Sequence, residues 1–202
     1  PGRLALAIER VELLLEALAL PAGSEVLMSA LTIPDMVELV RAHGLQPVPI
    51  DLDPATGRVD PGSLASAIGS RTRVLLVAQL FGDLAPLDEL RDAIGERDVL
   101  LVEDCAQSFG GPAGYAGSPL ADVCLFSFGM IKTASALGGS IAGVRDGALL
   151  DRMKDIEAQR PVQSRRSFLR RVAVAAGLRL ATGPRAYPVP CRVARAPGVD
   201  LR

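Results

Sequence analysis

One lysine of this sequence stands just after an apolar run. Residues 126–132 read FSFGMIK: two phenylalanines and a serine close the run, a glycine interrupts it and Lys132 follows. The chain is rich in arginine and poor in lysine, so a lysine at this place is unusual. A lysine amine attacks a carbonyl carbon only when it is unprotonated, and desolvation favours that state. The pattern indicates a site for a carbonyl compound, although a solvated lysine on a turn fits the same residues.

Polar side chains also close an earlier apolar run, at Glu103, Asp104 and Gln107. Neighbouring strand residues point to opposite faces of a sheet, so only one of the two carboxylates can face a given ligand. Asp104 fits such a role, and it equally fits the cap of a turn or helix. Gln107 can hydrogen-bond a ligand, and the Ser127 hydroxyl can bind a phosphate. Neither of these two residues indicates a site by itself.

Other kinds of site find little support in the sequence. His43 is the only histidine, which argues against a Ser-His-Asp triad and a histidine-rich metal site. The three cysteines, Cys105, Cys124 and Cys191, form no zinc pattern and fit a reducing cytosol. The net charge of −1 gives no reason to expect a nucleic-acid partner. We find no signal peptide and no apolar run long enough to cross a membrane, and expect a cytoplasmic protein.

Apolar periodicity predicts a chain in which strands alternate with helices. The predicted helices are 3–20, 34–43, 61–68, 86–94 and 146–158, and the predicted strands are 25–29, 46–50, 73–78, 99–103, 123–128 and 140–144. Several strands are continuous apolar runs, such as VLLVA at 74–78, and such strands are buried on both faces. The sequence therefore predicts a three-layer α/β/α fold with a mostly parallel sheet.

Ligands of such sheets bind beyond the carboxyl ends of the strands. Asp104, Gln107, Ser127 and Lys132 each lie at or shortly after a predicted strand end. We therefore expect these four side chains to share one edge of the sheet.

The composition changes near residue 160, where an arginine- and proline-rich segment begins. We predict two regions, a large domain at 1–160 and a basic connector at 161–202. Within the connector, 168–180 fits either a solvated helix or a basic amphipathic helix that contacts a membrane surface or an anionic partner. Because the chain starts within a helical pattern and without methionine, we expect it to be a fragment or a processed product.

The order and spacing of four short segments resemble one known family. EDCAQSFGG at 103–111, ADVCLFSF at 121–128, GMIK at 129–132 and ALGG at 136–139 resemble the DegT/StrS family of pyridoxal phosphate-dependent sugar aminotransferases. The segment at 23–68, with its DLDP turn, and VLLVAQLFGDLAPLDEL at 74–90 are similar to the same family. The resemblance covers about residues 1–160, and its motifs are specific only when taken together.

The resemblance implies the large domain of a fold type I enzyme that binds pyridoxal 5'-phosphate. It implies that Lys132 forms the internal aldimine and moves a proton, and that Asp104 pairs with the pyridine nitrogen. Gln107 would lie beside the ring oxygen or the substrate, and Ser127 would bind the phosphate. Family members that dehydrate replace this lysine with histidine, so Lys132 favours transamination.

The implied reaction transfers an amino group from an amino acid, with glutamate expected, to a keto-sugar nucleotide. The resemblance also implies a homodimer. An alternative is a catalytically inactive relative that acts as a regulatory or scaffolding dimer. Ile33 supports this alternative, because it stands near the position of an aromatic residue that stacks on the ring in the family. The absence from these 202 residues of most of the family's small domain supports it too.

Overall fold

A single six-stranded sheet organises the part of the chain that the structure describes. The structure is a computed structural model, and it describes residues 7–111, 113–129, 132, 134–162 and 164–182. The strands are β1 (Glu25–Ser29), β2 (Gln46–Ile50), β3 (Thr72–Ala78), β4 (Leu100–Asp104), β5 (Val123–Ser127) and β6 (Ser140–Val144). The helices are α1 (Ala7–Leu18), α2 (Pro34–Ala42), α3 (Pro61–Ala67), α4 (Asp88–Ile94), α5 (Gly147–Gln159) and α6 (Arg165–Ala181).

The strand order is β2-β1-β3-β4-β5-β6. The first five strands are parallel, and β6 pairs with β5 in the antiparallel direction. The carboxyl ends of β1 to β5 therefore lie at one edge of the sheet, as the sequence predicts. Strand β2, of sequence QPVPI, lies at the border of the sheet, where its two prolines leave no ladder hydrogen bond unmade.

Helices cover both faces of this sheet. On one face α1, α2 and α5 pack on strand residues such as Met28, Val102 and Leu125. On the other face α3 and α4 pack on the alternating strand residues, among them Leu27, Leu75 and Leu101. Since each strand sends successive side chains to opposite faces, these continuous apolar runs fill two cores. The predicted three-layer α/β/α fold is confirmed.

Local sequence signals account for several helix starts. The Asp60 side chain accepts a hydrogen bond of 2.6 Å from the Ser63 N–H at the start of α3. Asp146 caps α5 in the same way, through the Ala148 N–H at 2.8 Å. Pro34 begins α2, where its missing N–H is not needed. Helices α2 and α3 start at the predicted residues, 34 and 61.

The observed elements differ from the predicted ones mainly at their ends. Strand β4 runs one residue further than predicted, to Asp104, and β5 ends at Ser127 rather than at residue 128. Helix α4 starts at Asp88 instead of residue 86. Helix α5 is shifted by one residue, because Asp146 is its cap and not its first residue.

Contacts divide the chain between Arg160 and Pro161 into two compact units. The sheet belongs to the first unit. The second contains α6, which is longer than predicted and begins after the cap residue Ser164. Its exposed apolar residues Phe168, Leu169 and Leu178 point in different directions at 100° per residue, so the predicted amphipathic face is wrong. Residues 1–6, which include the start of the predicted helix 3–20, and residues 163 and 183–202 of the predicted connector, with Cys191, lie outside the described residues.

Candidate active site

Asp104 closes strand β4 and is half-buried at the carboxyl edge of the sheet. Val102, two residues earlier in the strand, packs in the core beneath α1 and α2, so Asp104 faces the same side. One carboxyl oxygen accepts a hydrogen bond of 2.9 Å from the Ala106 N–H. Burial raises the pKa of Asp104, and the Ala106 N–H and the positive charge of Lys132 partly oppose that rise. The charged carboxylate would therefore gain from a further cationic donor.

Ser127 closes the adjacent strand, β5, on the same side of the sheet. Val123 and Leu125 pack in the core beneath α1, and Ser127 continues this alternation. The side chain is buried, and its Oγ has no hydrogen-bond partner among the residues that the structure describes. A buried hydroxyl without a partner is costly, so an acceptor or donor that binds here would remove a penalty.

Lys132 lies in the loop that follows β5 and is half-buried. Its backbone N–H donates to the Gly129 carbonyl at 3.0 Å, which turns the chain back toward the strand end. The Ala136 and Gly138 N–H groups both donate to the Phe128 carbonyl at 3.0 Å, so the loop folds onto the end of β5. The lysine is close enough to oppose the raised pKa of Asp104. The structure thus brings together two predicted site residues that are distant in sequence.

Gln107 follows Asp104 by three residues and is exposed at the same edge. Its Oε1 accepts a hydrogen bond of 2.9 Å from the Phe81 N–H, in the segment that follows β3. An amide oxygen held in this way leaves the NH₂ group as the donor for a ligand. Phe81 adopts a φ of +57°, which is uncommon for a residue other than glycine.

The two phenylalanines of the FSF segment lie on the opposite face from Ser127. Phe126 and Phe128 both contact the ring of Phe109 edge-on, at centroid distances of 5.7 and 5.1 Å. They pack in the core beneath α3 and α4. The apolar rings therefore anchor the end of the strand on one side, while the serine faces the polar edge on the other.

Glu103 faces away from Asp104, as the strand alternation predicts, and is fully buried. One of its oxygens accepts hydrogen bonds from the Gln79 amide at 2.6 Å and from the Tyr115 hydroxyl. The other accepts from the Ser118 N–H at 2.8 Å and faces the Cys124 thiol at 3.4 Å. Burial and this carboxylate raise the pKa of Tyr115, and raise that of Cys124 to about 12. These hydrogen-bond donors compensate for the burial of the Glu103 carboxylate. Through them, Glu103 holds the end of β4 to the segments that carry Gln79, Tyr115 and Ser118.

These partners of Glu103 are not among the residues that the sequence motifs indicate. Gln79 lies at the end of VLLVAQ, where a polar residue after an apolar run is a usable signal. Tyr115 and Ser118 come from the glycine-rich connection between β4 and β5, whose course cannot be read from local patterns. Ile33, by contrast, lies where the sequence places it, just before α2, and its side chain is 52% exposed.

Comparison with protein families gives one match that spans most of the chain. The model of the DegT/DnrJ/EryC1/StrS aminotransferase family matches residues 7–181. The match covers the whole sheet, all four predicted site residues and helix α6. It therefore extends beyond the first compact unit, which ends at Arg160.

Individual relatives agree with the family match. The chain is 31% identical over 147 residues to the L-glutamine:2-deoxy-scyllo-inosose aminotransferase of Streptomyces kanamyceticus, covering 72% of this chain and 34% of that protein. It superposes on the crystal structure of DesI in the presence of its TDP-sugar product with a TM-score of 0.67 and 32% identity, covering 75% and 38% of the two chains. It also superposes on NtdA of Bacillus subtilis with bound cofactor PMP, with a TM-score of 0.65 and 25% identity, covering 73% and 33%. The chain thus spans about a third of the length of these relatives.

Proposed function

The chain belongs to the DegT/DnrJ/EryC1/StrS aminotransferase family, and on that basis we propose that it is the cofactor-binding part of a pyridoxal phosphate-dependent sugar aminotransferase. The observation that carries the proposal is that Asp104 and Ser127 end adjacent strands on the same side of the sheet, while the charge of Lys132, in the loop after β5, opposes the raised pKa of Asp104. An acidic and a hydroxyl side chain thus lie at adjacent strand ends, and a basic side chain follows in the next loop.

The polar groups at this edge match the parts of pyridoxal 5'-phosphate. The ring nitrogen is a cationic donor when protonated, and burial raises the pKa of the Asp104 carboxyl more than the Ala106 N–H and the charge of Lys132 lower it. The phosphate is an acceptor, and the Ser127 hydroxyl is buried without a partner among the described residues. The Gln107 NH₂ remains available for the ring oxygen. When bound, the cofactor supplies an electron-withdrawing ring that stabilises negative charge at the substrate carbon.

Each residue has a distinct task in this proposal. The Lys132 amine would hold the cofactor at its carbonyl carbon and, once the substrate amine has displaced it, would carry a proton at Nζ between the substrate carbon and the cofactor. The Asp104 carboxylate would keep the ring nitrogen protonated, because the ion pair offsets the cost of burying both charges. The Ala106 N–H fixes the carboxylate in place. Gln107 and Ser127 orient the ring through its substituents.

We propose a keto sugar as the acceptor of the amino group and an α-amino acid as its donor. DesI is described with a TDP-sugar product, which supports the predicted keto-sugar nucleotide. The Streptomyces kanamyceticus relative is named for L-glutamine and an inosose, which adds glutamine as a donor and a keto cyclitol as an acceptor. Glutamate remains our predicted donor, and a competition assay with glutamate and glutamine would decide between them.

A homodimer remains part of the proposal. Leu31, Ile33 and Phe81 are exposed apolar side chains that follow the carboxyl ends of β1 and β3. An apolar group beside the site fits a second copy of the chain that covers the edge of the site. The rival proposal, an inactive regulatory or scaffolding dimer, keeps the same surface but needs no cofactor.

Cofactor titration tests the proposal. We expect pyridoxal 5'-phosphate to give a new visible absorption band with the 202-residue chain, and borohydride to fix one cofactor covalently on the peptide that contains Lys132. Lys132→Ala should abolish both signals. Lys154→Ala is the matched control, because Lys154 is the only other lysine of the sequence and lies exposed beside Asp151. A band that survives Lys132→Ala would overturn the lysine assignment, and no band at saturating cofactor would favour the inactive rival.

A further inference from the structure

Arg10 is a largely buried cation that none of the predicted site motifs includes. It lies in α1, and 21% of its side chain is exposed. Its Nε donates a hydrogen bond of 2.9 Å to Ser140 Oγ, and one terminal nitrogen pairs with Glu157 at 2.7 Å. A guanidinium has five N–H donors, so these two contacts, the ones found among the described residues, leave donors for another acceptor.

The residue that Arg10 contacts lies directly opposite Ser127. Ser140 begins β6 and is paired with Ser127 in the antiparallel ladder. Residues that face each other across such a pair share a face of the sheet, with Cβ atoms about 5 Å apart. The next pair in the same direction, Leu125 and Ala142, packs in the core beneath α1, which places Ser127 and Ser140 on the α1 side as well. The guanidinium is therefore hydrogen-bonded to a serine that lies one cross-strand spacing from the Ser127 side chain.

Two features at this place point to an anion. The buried Ser127 hydroxyl has no hydrogen-bond partner among the described residues, and rotation about its χ1 is enough to turn it toward a new one. On the facing serine, Ser140, lies a guanidinium whose carboxylate partner among the described residues, Glu157, is half exposed to solvent. A phosphate oxygen accepts hydrogen bonds from a hydroxyl and from a guanidinium. Because the phosphate is negatively charged, its hydrogen bond to the cationic guanidinium is the stronger of the two.

We propose that Arg10 is a phosphate-binding residue, which together with Ser127 and Ser140 receives the phosphate of the cofactor. This inference rests on the proposed function. It gives helix α1 a role beyond packing, since it delivers a charge to the end of β5. Glu157 then holds the guanidinium in place, and Ser140 aligns it with the strand.

Comparison of pyridoxal 5'-phosphate with pyridoxal tests the inference, because the two differ only in the phosphate. Equilibrium binding is measured by absorbance for the unaltered chain and for Arg10→Gln. We expect Arg10→Gln to weaken the binding of pyridoxal 5'-phosphate by about 10- to 100-fold, the range of a charge-assisted hydrogen bond. The binding of pyridoxal should be unchanged. Arg10→Lys should recover part of the affinity. Inorganic phosphate should compete with the cofactor in the unaltered chain and lose that effect in Arg10→Gln.

Arg160→Gln is the matched control. Arg160 also joins α5 to α1, through Glu16 at 2.6 Å and Glu12 at 3.5 Å, but it makes no contact with Ser140. We expect it to leave the affinity for both ligands unchanged. Equal weakening of pyridoxal and pyridoxal 5'-phosphate by Arg10→Gln, or no weakening of either, would overturn the role of Arg10 and leave the proposed function standing. An unaltered chain that binds neither ligand would overturn the proposed function, and the inference with it.

Discussion

Burial of the Asp104 carboxyl raises its pKa, so the folded protein disfavours the charged form on which the proposed function depends. Such a conflict is common at functional sites, where a ligand supplies the compensation that the protein lacks. The neighbouring carboxyl, Glu103, is buried more deeply but is fully surrounded by its own donors. The contrast supports a structural task for Glu103 and a ligand-binding task for Asp104.

A pH-dependent stability follows from the direction of the Asp104 shift. An acid whose pKa is higher in the folded than in the unfolded state stabilises the fold below its unfolded pKa, and this contribution is lost as the pH rises through the folded pKa. We therefore predict that Asp104→Asn increases the free energy of unfolding of the cofactor-free protein at neutral pH, and that the gain shrinks toward acid pH. The asparagine oxygen can still accept from the Ala106 N–H. Urea unfolding at several pH values measures the difference.

Asp60 provides a control of opposite sign. The Ser63 N–H lowers the pKa of Asp60, so its contribution is present above the unfolded pKa and lost as the pH falls. Asp60→Asn should therefore lower the stability at neutral pH. If Asp104→Asn behaved like Asp60→Asn, the assignment of Asp104 as a strained carboxylate would be wrong.

At the scale of elements, the connection between β4 and β5 determines how the two strand ends meet. This segment carries Tyr115 and Ser118 to Glu103, and Gly117 lies between them at a φ of +99°. A Cβ atom on Gly117 would lie 2.4 Å from the Cys124 sulfur, which is closer than any side chain can approach. The glycine therefore allows the connection to pack against β5 at this point.

Two glycine substitutions separate backbone strain from crowding. Gly117→Ala meets both the left-handed φ and the Cys124 side chain, whereas Gly111→Ala meets a similar φ of +101° with nothing within 4 Å. We expect strain of about 1–3 kcal/mol in both variants, and a further loss of about 1–3 kcal/mol from overpacking in Gly117→Ala alone. Chemical denaturation gives the two free energies of unfolding. Equal losses of unfolding free energy in the two variants would show that the Cys124 side chain moves aside without a measurable cost.

At the scale of the whole molecule, the sheet edge that holds the candidate site also exposes apolar side chains. Phe81 is 84% exposed, although its backbone is fixed by the hydrogen bond to Gln107. We predict that the chain forms a homodimer and that Phe81→Asn weakens it, because asparagine tolerates a left-handed backbone while removing the apolar ring. Light scattering coupled to gel filtration measures the mass.

Val162→Ser is a suitable control for the dimer prediction. Val162 is 95% exposed but belongs to the second compact unit, away in sequence from the candidate site. We expect this change to leave the mass at twice that of one chain. A monomer in the unaltered chain, or a dimer that persists in Phe81→Asn at every concentration, would contradict the role given to Phe81.

No described helix is both long and apolar enough to cross a membrane.

The division of the chain into a cofactor-binding domain and a connector stays a prediction. We retain the assignment of 1–160 as the cofactor-binding domain and 161–202 as a basic connector. The family match runs to residue 181, so helix α6 is part of what this chain shares with the family.

The sequence by itself determined the class of fold and the order of its elements. Continuous apolar runs such as those of β3 and β4 require burial on both faces, and this requirement depends only on the period of the strand. The same period placed Glu103 and Asp104 on opposite faces. Residues such as Pro34 and Asp146 marked helix starts because their effect acts within one turn.

Only the tertiary structure decided which distant residues meet. The proximity of Lys132 to Asp104, the hydrogen bond between Gln107 and Phe81, and the contact of Arg10 with Ser140 join segments that are far apart in the chain. No local pattern encodes such contacts, because they depend on the register of β5 with β6 and on the path of long connections. The sequence supplied the chemistry of each residue, and the packing of the sheet determined which of these residues lie together.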